Sequence, residues 1–112
     1  MFILALEAST TSAKAMYYDT DRESYELATS AYRQTCRNET LIDPELAFEQ
    51  MMTVGRELVR GRRVDIIALG GTWHSVGLFD REMKPVTPVY QWSNTEPAQL
   101  CAALRHEPGY AE

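Results

Sequence analysis

Glu7-Ala8-Ser9-Thr10-Thr11-Ser12-Ala13-Lys14 gathers a carboxylate, four hydroxyls and an ammonium into one short stretch. The stretch lies between two apolar runs, Phe2–Leu6 and Ala13–Tyr18, and so reads as the turn joining two strands. A carboxylate at the end of a buried strand can hold a hydrated Mg²⁺. Thr10, Thr11 and Ser12, with the backbone N–H groups of the turn, suit phosphate oxygens, and Lys14 supplies positive charge. The same residues also describe an ordinary hairpin in which Glu7 does no more than end a strand.

A second group, Gly70-Gly71-Thr72-Trp73-His74-Ser75, follows the apolar run Val64–Leu69. Sheet proteins present side chains to a ligand crevice at that position. Trp73 offers an apolar wall and an indole donor, and His74 can donate to or accept from a polyol hydroxyl. A core tryptophan beside a satisfied histidine is the plainer alternative. The two glycines favour function, because they allow close backbone approach. Tyr90-Gln91-Trp92-Ser93-Asn94-Thr95-Glu96 is a third group, in which Trp92 and Asn94 either pack a helix start or reach the same crevice as His74.

Positioning these groups requires a small mixed fold. The 112 residues are 45% hydrophobic and 24% charged, the balance of one globular unit with a single core. Phe2–Leu6, Ala13–Tyr18 and Tyr25–Tyr32 read as three antiparallel strands, with an Asx turn at Asp19-Thr20-Asp21. Asp43-Pro44-Glu45 starts a helix with a capping carboxylate, a proline at the first helical position and an acid against the dipole. Leu46, Phe48, Met51, Met52, Gly55, Leu58 and Val59 recur at helical spacing and are expected to face the core through about Arg60. Val64–Leu69 has the near-continuous apolar character of a strand buried on both faces. Val76–Phe79 is expected to form a short strand, the proline-broken stretch Val86–Trp92 an edge or loop, and Pro97–Arg105 a helix.

Charge and cysteine usage narrow the partners. Eleven basic against sixteen acidic side chains leave a net charge of -5, which disfavours nucleic acid and anionic membranes. Cys36 and Cys101 lie far apart, and His74 and His106 have no zinc-site spacing, so a reducing cytoplasm fits best. The apolar start ends at Glu7, too short for a signal or membrane segment, and the final Glu107–Glu112 trails off as if the chain were part of something longer. The order βββαβ is that of a ribonuclease-H-like, actin-like layered α/β domain, here only in part.

Three segments, Leu4–Ala15, Ile67–Ser75 and Pro85–Thr95, resemble in order the opening of the FGGY carbohydrate kinases, the group that includes xylulokinase, gluconokinase and glycerol kinase. The resemblance implies that residues 1–112 form the N-terminal part of the first actin-like lobe, the second lobe being absent. It implies a parent that transfers the γ-phosphoryl group of Mg-ATP to a hydroxyl of a sugar or sugar acid, and it allows a homodimer of that parent. By position, Glu7 matches the family's metal-side aspartate; Thr10, Thr11 and Ser12 match its phosphate hairpin, and Lys14 a basic residue facing ATP. Trp73 and His74 match its Met-His substrate pair, and Trp92 and Asn94 its Trp-x-Asp segment.

The departures are Glu7 for aspartate, Ser9 for glycine, Trp73 for methionine, Asn94 for aspartate and Glu96 for arginine. The family's proton-accepting aspartate, second phosphate loop and adenosine pocket lie beyond residue 112, so no catalytic base is assigned and the chain alone is expected to be inactive. A non-catalytic actin-like binding or regulatory module is the alternative. A two-metal nuclease is disfavoured, because Asp65 starts its strand at the end away from Glu7.

Overall fold

A computed structural model describes residues 1–32 and 40–109, which leaves Cys36 and residues 110–112 outside the description. The first three elements are β1 (Phe2–Ala8), β2 (Ser12–Asp19) and β3 (Ser24–Ala31). β1 and β2 pair antiparallel with Glu7 opposite Lys14, and β2 and β3 pair antiparallel with Ser12 opposite Ala31. Asp19 Oδ1 makes the intervening turn by accepting from the Asp21 N–H at 3.0 Å. After the two-residue strand β4 (Leu41–Ile42), which the sequence pattern does not announce, comes helix α1 (Pro44–Val59). β5 (Ile66–Gly71) then returns parallel to β1, giving a mixed sheet of order β3-β2-β1-β5.

Helix α1 has the expected ends. Asp43 Oδ1 accepts from the N–H groups of Glu45 and Leu46, and Pro44 occupies the first turn, where its missing donor is not needed. At the other end Arg60, at φ 43°, and Gly61, at φ 77°, both take the left-handed conformation. The expected face is buried in large part: Met51 and Gly55 are buried and Met52, Leu58 and Val59 pack partly buried against the core, joined by Ala47 and Val54, whereas Leu46 and Phe48 are exposed. Helix and sheet approach closely at Gly55, where a Cβ would stand 2.6 Å from Leu6 Cδ2. Leu4, Leu6, Ala13 and Ala15 supply the sheet side of the core.

β5 is the second correction. It has the apolar sequence of a central strand, yet every residue in it is exposed, Ile67 at 60% and Leu69 at 74%. Helix α1 lies over β1, β2 and β3, and among the described residues β5 is the outermost strand of the sheet. The Val76–Phe79 stretch forms only isolated bridges, from Val76 to Tyr90 and from Phe79 to Pro85. Tyr90 belongs to β6 (Val89–Tyr90), which pairs antiparallel with β4. Helix α2 (Ala98–Leu104) falls where expected but buries none of its residues. The chain is extended as a result. Its radius of gyration is 17.9 Å, where a compact domain of this length has about 13 Å.

The N-terminal end of the sheet is tied by polar contacts. The Asp65 carboxylate accepts from the Phe2 N–H at 2.8 Å and from Arg63 Nε at 2.6 Å, while the Asp65 N–H donates to the Phe2 carbonyl at 2.9 Å. The Phe2 ring stacks on Tyr17, the Arg62 guanidinium lies 4.2 Å from the Tyr17 ring centroid, and the Tyr17 hydroxyl donates to the Arg63 carbonyl at 2.8 Å. Arg62 also pairs with Glu26.

Two outcomes follow from these contacts. Gly55→Val should lower stability by about 2 kcal/mol in urea denaturation, since the added methyls meet Leu6 in a filled interface. The Phe2 N–H, and then Arg63, hold the Asp65 carboxyl below the usual aspartate range. A depressed folded-state pKa stabilises above that range and ceases to do so as pH falls through it. Asp65→Asn should therefore be less stable at neutral pH and lose less stability than the parent between about pH 5 and pH 2.

Candidate functional site

The parallel pairing of β1 with β5 sets Glu7 beside Gly70 and Ala8 beside Gly71. Both strands run the same way, so the Ser9–Thr11 turn and the Thr72–Ser75 loop leave the sheet at the same end. Thr72 Oγ1 donates to the Ala8 carbonyl at 3.5 Å and ties the two loops together.

Within the hairpin the four hydroxyls divide into two roles. Ser9 closes the turn: its N–H donates to the Ser12 carbonyl at 3.0 Å, and its Oγ lies 2.9 Å from the same carbonyl and 3.2 Å from Ser12 Oγ. Ser12 is buried, so its hydroxyl shapes the turn. Thr10 and Thr11 stand at the tip, Thr11 exposed. The Glu7 carboxylate and the Lys14 ammonium sit on the opposite sheet face from Leu6, 3.4 Å apart and each nearly half exposed. A cross-strand pair so open to water contributes little to stability, which leaves both groups free to serve a ligand.

Tyr32, absent from the sequence-derived set, belongs to this corner. Its N–H donates to the Thr11 carbonyl at 2.9 Å. Its hydroxyl is buried with no hydrogen-bond partner among the described residues, and burial, then the Glu7 charge, push the phenol above its ordinary pKa. Its place at the end of the β3 alternation is the only sequence sign of it.

Two of the aromatic groups flank the bridge to β6. Val76 and Tyr90 exchange backbone hydrogen bonds at 3.0 and 2.8 Å in antiparallel sense, with the Trp73–His74 turn just before Val76 and Trp92 just after Tyr90 in the chain. Trp73 is 82% exposed, and its ring meets the His74 ring edge to face at 6.2 Å. Trp92 is exposed too. His74 takes φ 63°, a left-handed conformation that turns the loop sharply after Trp73. Asn94 is held on two sides: its Nδ2 donates to Thr40 Oγ1 at 2.9 Å and its Oδ1 accepts from the Glu96 N–H at 3.0 Å. Nothing in the sequence singles out Thr40, because only the fold brings it to Asn94. Ser75 Oγ is buried without a partner among the described residues.

Among the described residues no three His, Cys, Asp or Glu side chains cluster as a metal cage. Glu7 therefore stands as a single carboxylate, which suits Mg²⁺ carried mainly by phosphate oxygens and water. Asp65 lies about 16 Å away along β1, at the strand rise of an extended chain, too far to share a metal with Glu7. A cavity of about 530 Å³ opens at that far end, lined by Phe2, Tyr17, Tyr25 and Arg62 among others, and holds none of the candidate residues.

Comparison of the coordinates with solved structures shows where this arrangement recurs. A xylulose kinase from Rhodospirillum rubrum superposes with a TM-score of 0.81 at 21% identity, over 94% of this chain and 23% of that one. The chain has the fold of FGGY sugar kinases. A gluconate kinase from Lactobacillus acidophilus matches at a TM-score of 0.79 and 16% identity, over 93% of this chain and 22% of its own. The glycerol kinase of Plasmodium falciparum, solved with ADP, matches at 0.72 and 19%, over 91% and 22%. This chain thus spans less than a quarter of the length of these three FGGY-fold kinases. No protein-family model matches the sequence, and no curated protein does. No helix among the described residues is long and apolar enough to cross a membrane.

The left-handed turn at His74 separates folding from ligand contact. His74→Gly should leave the thermal midpoint unchanged or raised, because glycine takes that φ without strain, whereas His74→Val should cost about 1–3 kcal/mol.

Proposed function

We propose that this chain supplies the phosphate hairpin and the sugar-facing wall of a cytoplasmic, ATP-dependent carbohydrate kinase, within a ribonuclease-H-like, actin-like lobe completed by polypeptide outside these 112 residues. The observation that carries this reading is the common exit of the Ser9–Thr11 turn and the Thr72–Ser75 loop from one end of the sheet, joined through Thr72 and Ala8. A triphosphate and a polyol must lie side by side for transfer, and loops at opposite ends of the sheet would forbid it.

In this reading the N–H groups of Thr10 and Thr11 and the Lys14 ammonium take phosphate oxygens, and Glu7 faces the magnesium. Mg-ATP would supply the transferable phosphoryl group and charge neutralisation. Trp73 and Trp92 form apolar walls for the carbon skeleton of a sugar or sugar acid, His74 orients a hydroxyl, and Asn94 adds its remaining amide N–H. Transfer makes a bond from the sugar oxygen to the γ-phosphorus, breaks the bond to the β-phosphate oxygen and releases ADP. The hydroxyl proton goes to a carboxylate outside this chain. Phosphoryl transfer rests almost wholly on positioning and charge stabilisation, so this part of a cleft is inactive alone.

The Glu7–Lys14 ion pair favours a second reading, because it cancels charge at the hairpin. There the fold serves as a non-catalytic actin-like binding or regulatory module.

Magnetic-resonance titration of the nitrogen-labelled chain separates the two. With Mg-ATP at millimolar concentration the Thr10 and Thr11 amides should shift, and Lys14→Ala should weaken the response; a silent hairpin moves the assignment to the module. Coupled assays for ADP release should detect no turnover by the chain alone with xylulose, gluconate or glycerol, and measurable turnover would refute its inactivity.

A further inference from the structure

The end of the sheet away from the hairpin carries a cavity that the kinase reading does not use. It measures about 530 Å³, inside the usual range of small-molecule sites, about 300–1,000 Å³. It exists because α1 ends before the sheet does. Leu4 and Leu6 are buried in the core that the helix covers, whereas Phe2 precedes them on the same face and no residue of α1 lines the cavity. The walls come from β1, β2, β3 and the connection from α1 to β5. Both loops at the rim, residues 19–24 and 60–65, are described throughout, so contacts within the chain give the cavity its shape.

Its floor is fixed. Phe2 and Tyr17 stack with ring centroids 5.6 Å apart, and Arg62 lies over Tyr17 at 4.2 Å. The Arg62 guanidinium is already engaged: both terminal nitrogens pair with Glu26, and Nε donates to the Val59 carbonyl at 3.2 Å. Arg22 and Arg63, at the mouth, differ. Among the described residues Arg63 gives only its Nε, to Asp65 at 2.6 Å, and Arg22 Nε lies 3.7 Å from Asp19 Oδ2. Their side chains are 83% and 76% exposed, so each turns the terminal nitrogens of a planar fork toward water.

We propose that this cavity binds a small planar ring bearing a carboxylate or a phosphate. Phe2, with the exposed Tyr25 beside it, takes the ring, and the Arg22 and Arg63 forks take the anion's oxygens in the paired geometry that guanidinium favours. Charge agrees with that class. Three guanidinium groups against the carboxylates of Asp19 and Glu26 leave the lining one positive charge, in a chain whose net charge is -5. An anion is therefore drawn here and a cation is not. Phe2 lies about 16 Å along β1 from Glu7, so the site stands apart from the hairpin and from the kinase reading.

Magnetic-resonance titration of the labelled chain with phenyl phosphate and with benzoate tests it. The Phe2, Tyr17 and Tyr25 ring signals should shift at millimolar concentration with at least one probe, and the tighter of the two identifies the anion. That probe should bind about tenfold more tightly than benzyl alcohol or inorganic phosphate, which carry only half of the recognition. Arg22→Gln with Arg63→Gln should weaken it about tenfold and leave the far-ultraviolet spectrum unchanged, since both side chains are exposed. Tyr25→Ala should weaken the ring-bearing probes and leave inorganic phosphate unaffected. Silent ring signals, a response indifferent to the double glutamine change, inorganic phosphate binding as well as phenyl phosphate, or shifts confined to the Thr10 and Thr11 amides would each overturn the proposal.

Discussion

Parallel pairing between β1 and β5 is the constraint on which the rest of this structure depends. Because the two strands run in the same direction, the turn after β1 and the loop after β5 open on one side of the molecule. An antiparallel β5 of identical sequence would carry Trp73 and His74 to the far end, beside Asp65. The direction of β5 follows from α1, whose sixteen residues return the chain to the start of the sheet before the strand begins. Parallel neighbours need a crossover of this kind, and the hairpin alone could not have produced one.

α1 can act as that crossover because of its contact with the sheet. Gly55 over Leu6, with Ala47, Met51 and Val54 beside it, brings the helix close above β1 and β2. Hydrophobic burial is concentrated there, and the opposite half of the molecule, from Thr72 through α2, is held mostly by backbone bridges and Asx contacts. Local opening is easier where few apolar contacts resist it. The division places the better-packed sheet under the hairpin and the less-packed segment under Trp73 and Trp92.

Several features were legible residue by residue. Asp43 and Pro44 mark the helix start because capping and the missing proline donor act over a few bonds. The hydroxyl-rich hairpin, the Asp19 turn and the two aromatic segments were equally local. Burial was not. Leu46 and Phe48 are as apolar as the core residues of the helix, yet the face that meets the sheet runs through Ala47, Met51, Val54 and Gly55, where Gly55 allows close approach over Leu6. Val64–Leu69 has the composition of a central strand, but its burial depends on what lies over it, and α1 stops short.

The amino-acid sequence by itself determined the local elements, the chemical inventory and the resemblance in three ordered segments, because propensity, capping and turn chemistry are short-range properties of neighbouring residues. Tertiary structure alone decided that the hairpin and the Trp73–His74 loop share one end of the sheet, that Tyr32 bonds Thr11 and Thr40 holds Asn94, and that β5 stands outermost in the sheet among the described residues. Each of these joins residues far apart in the chain, and such contacts are set by strand direction and by the reach of a helix.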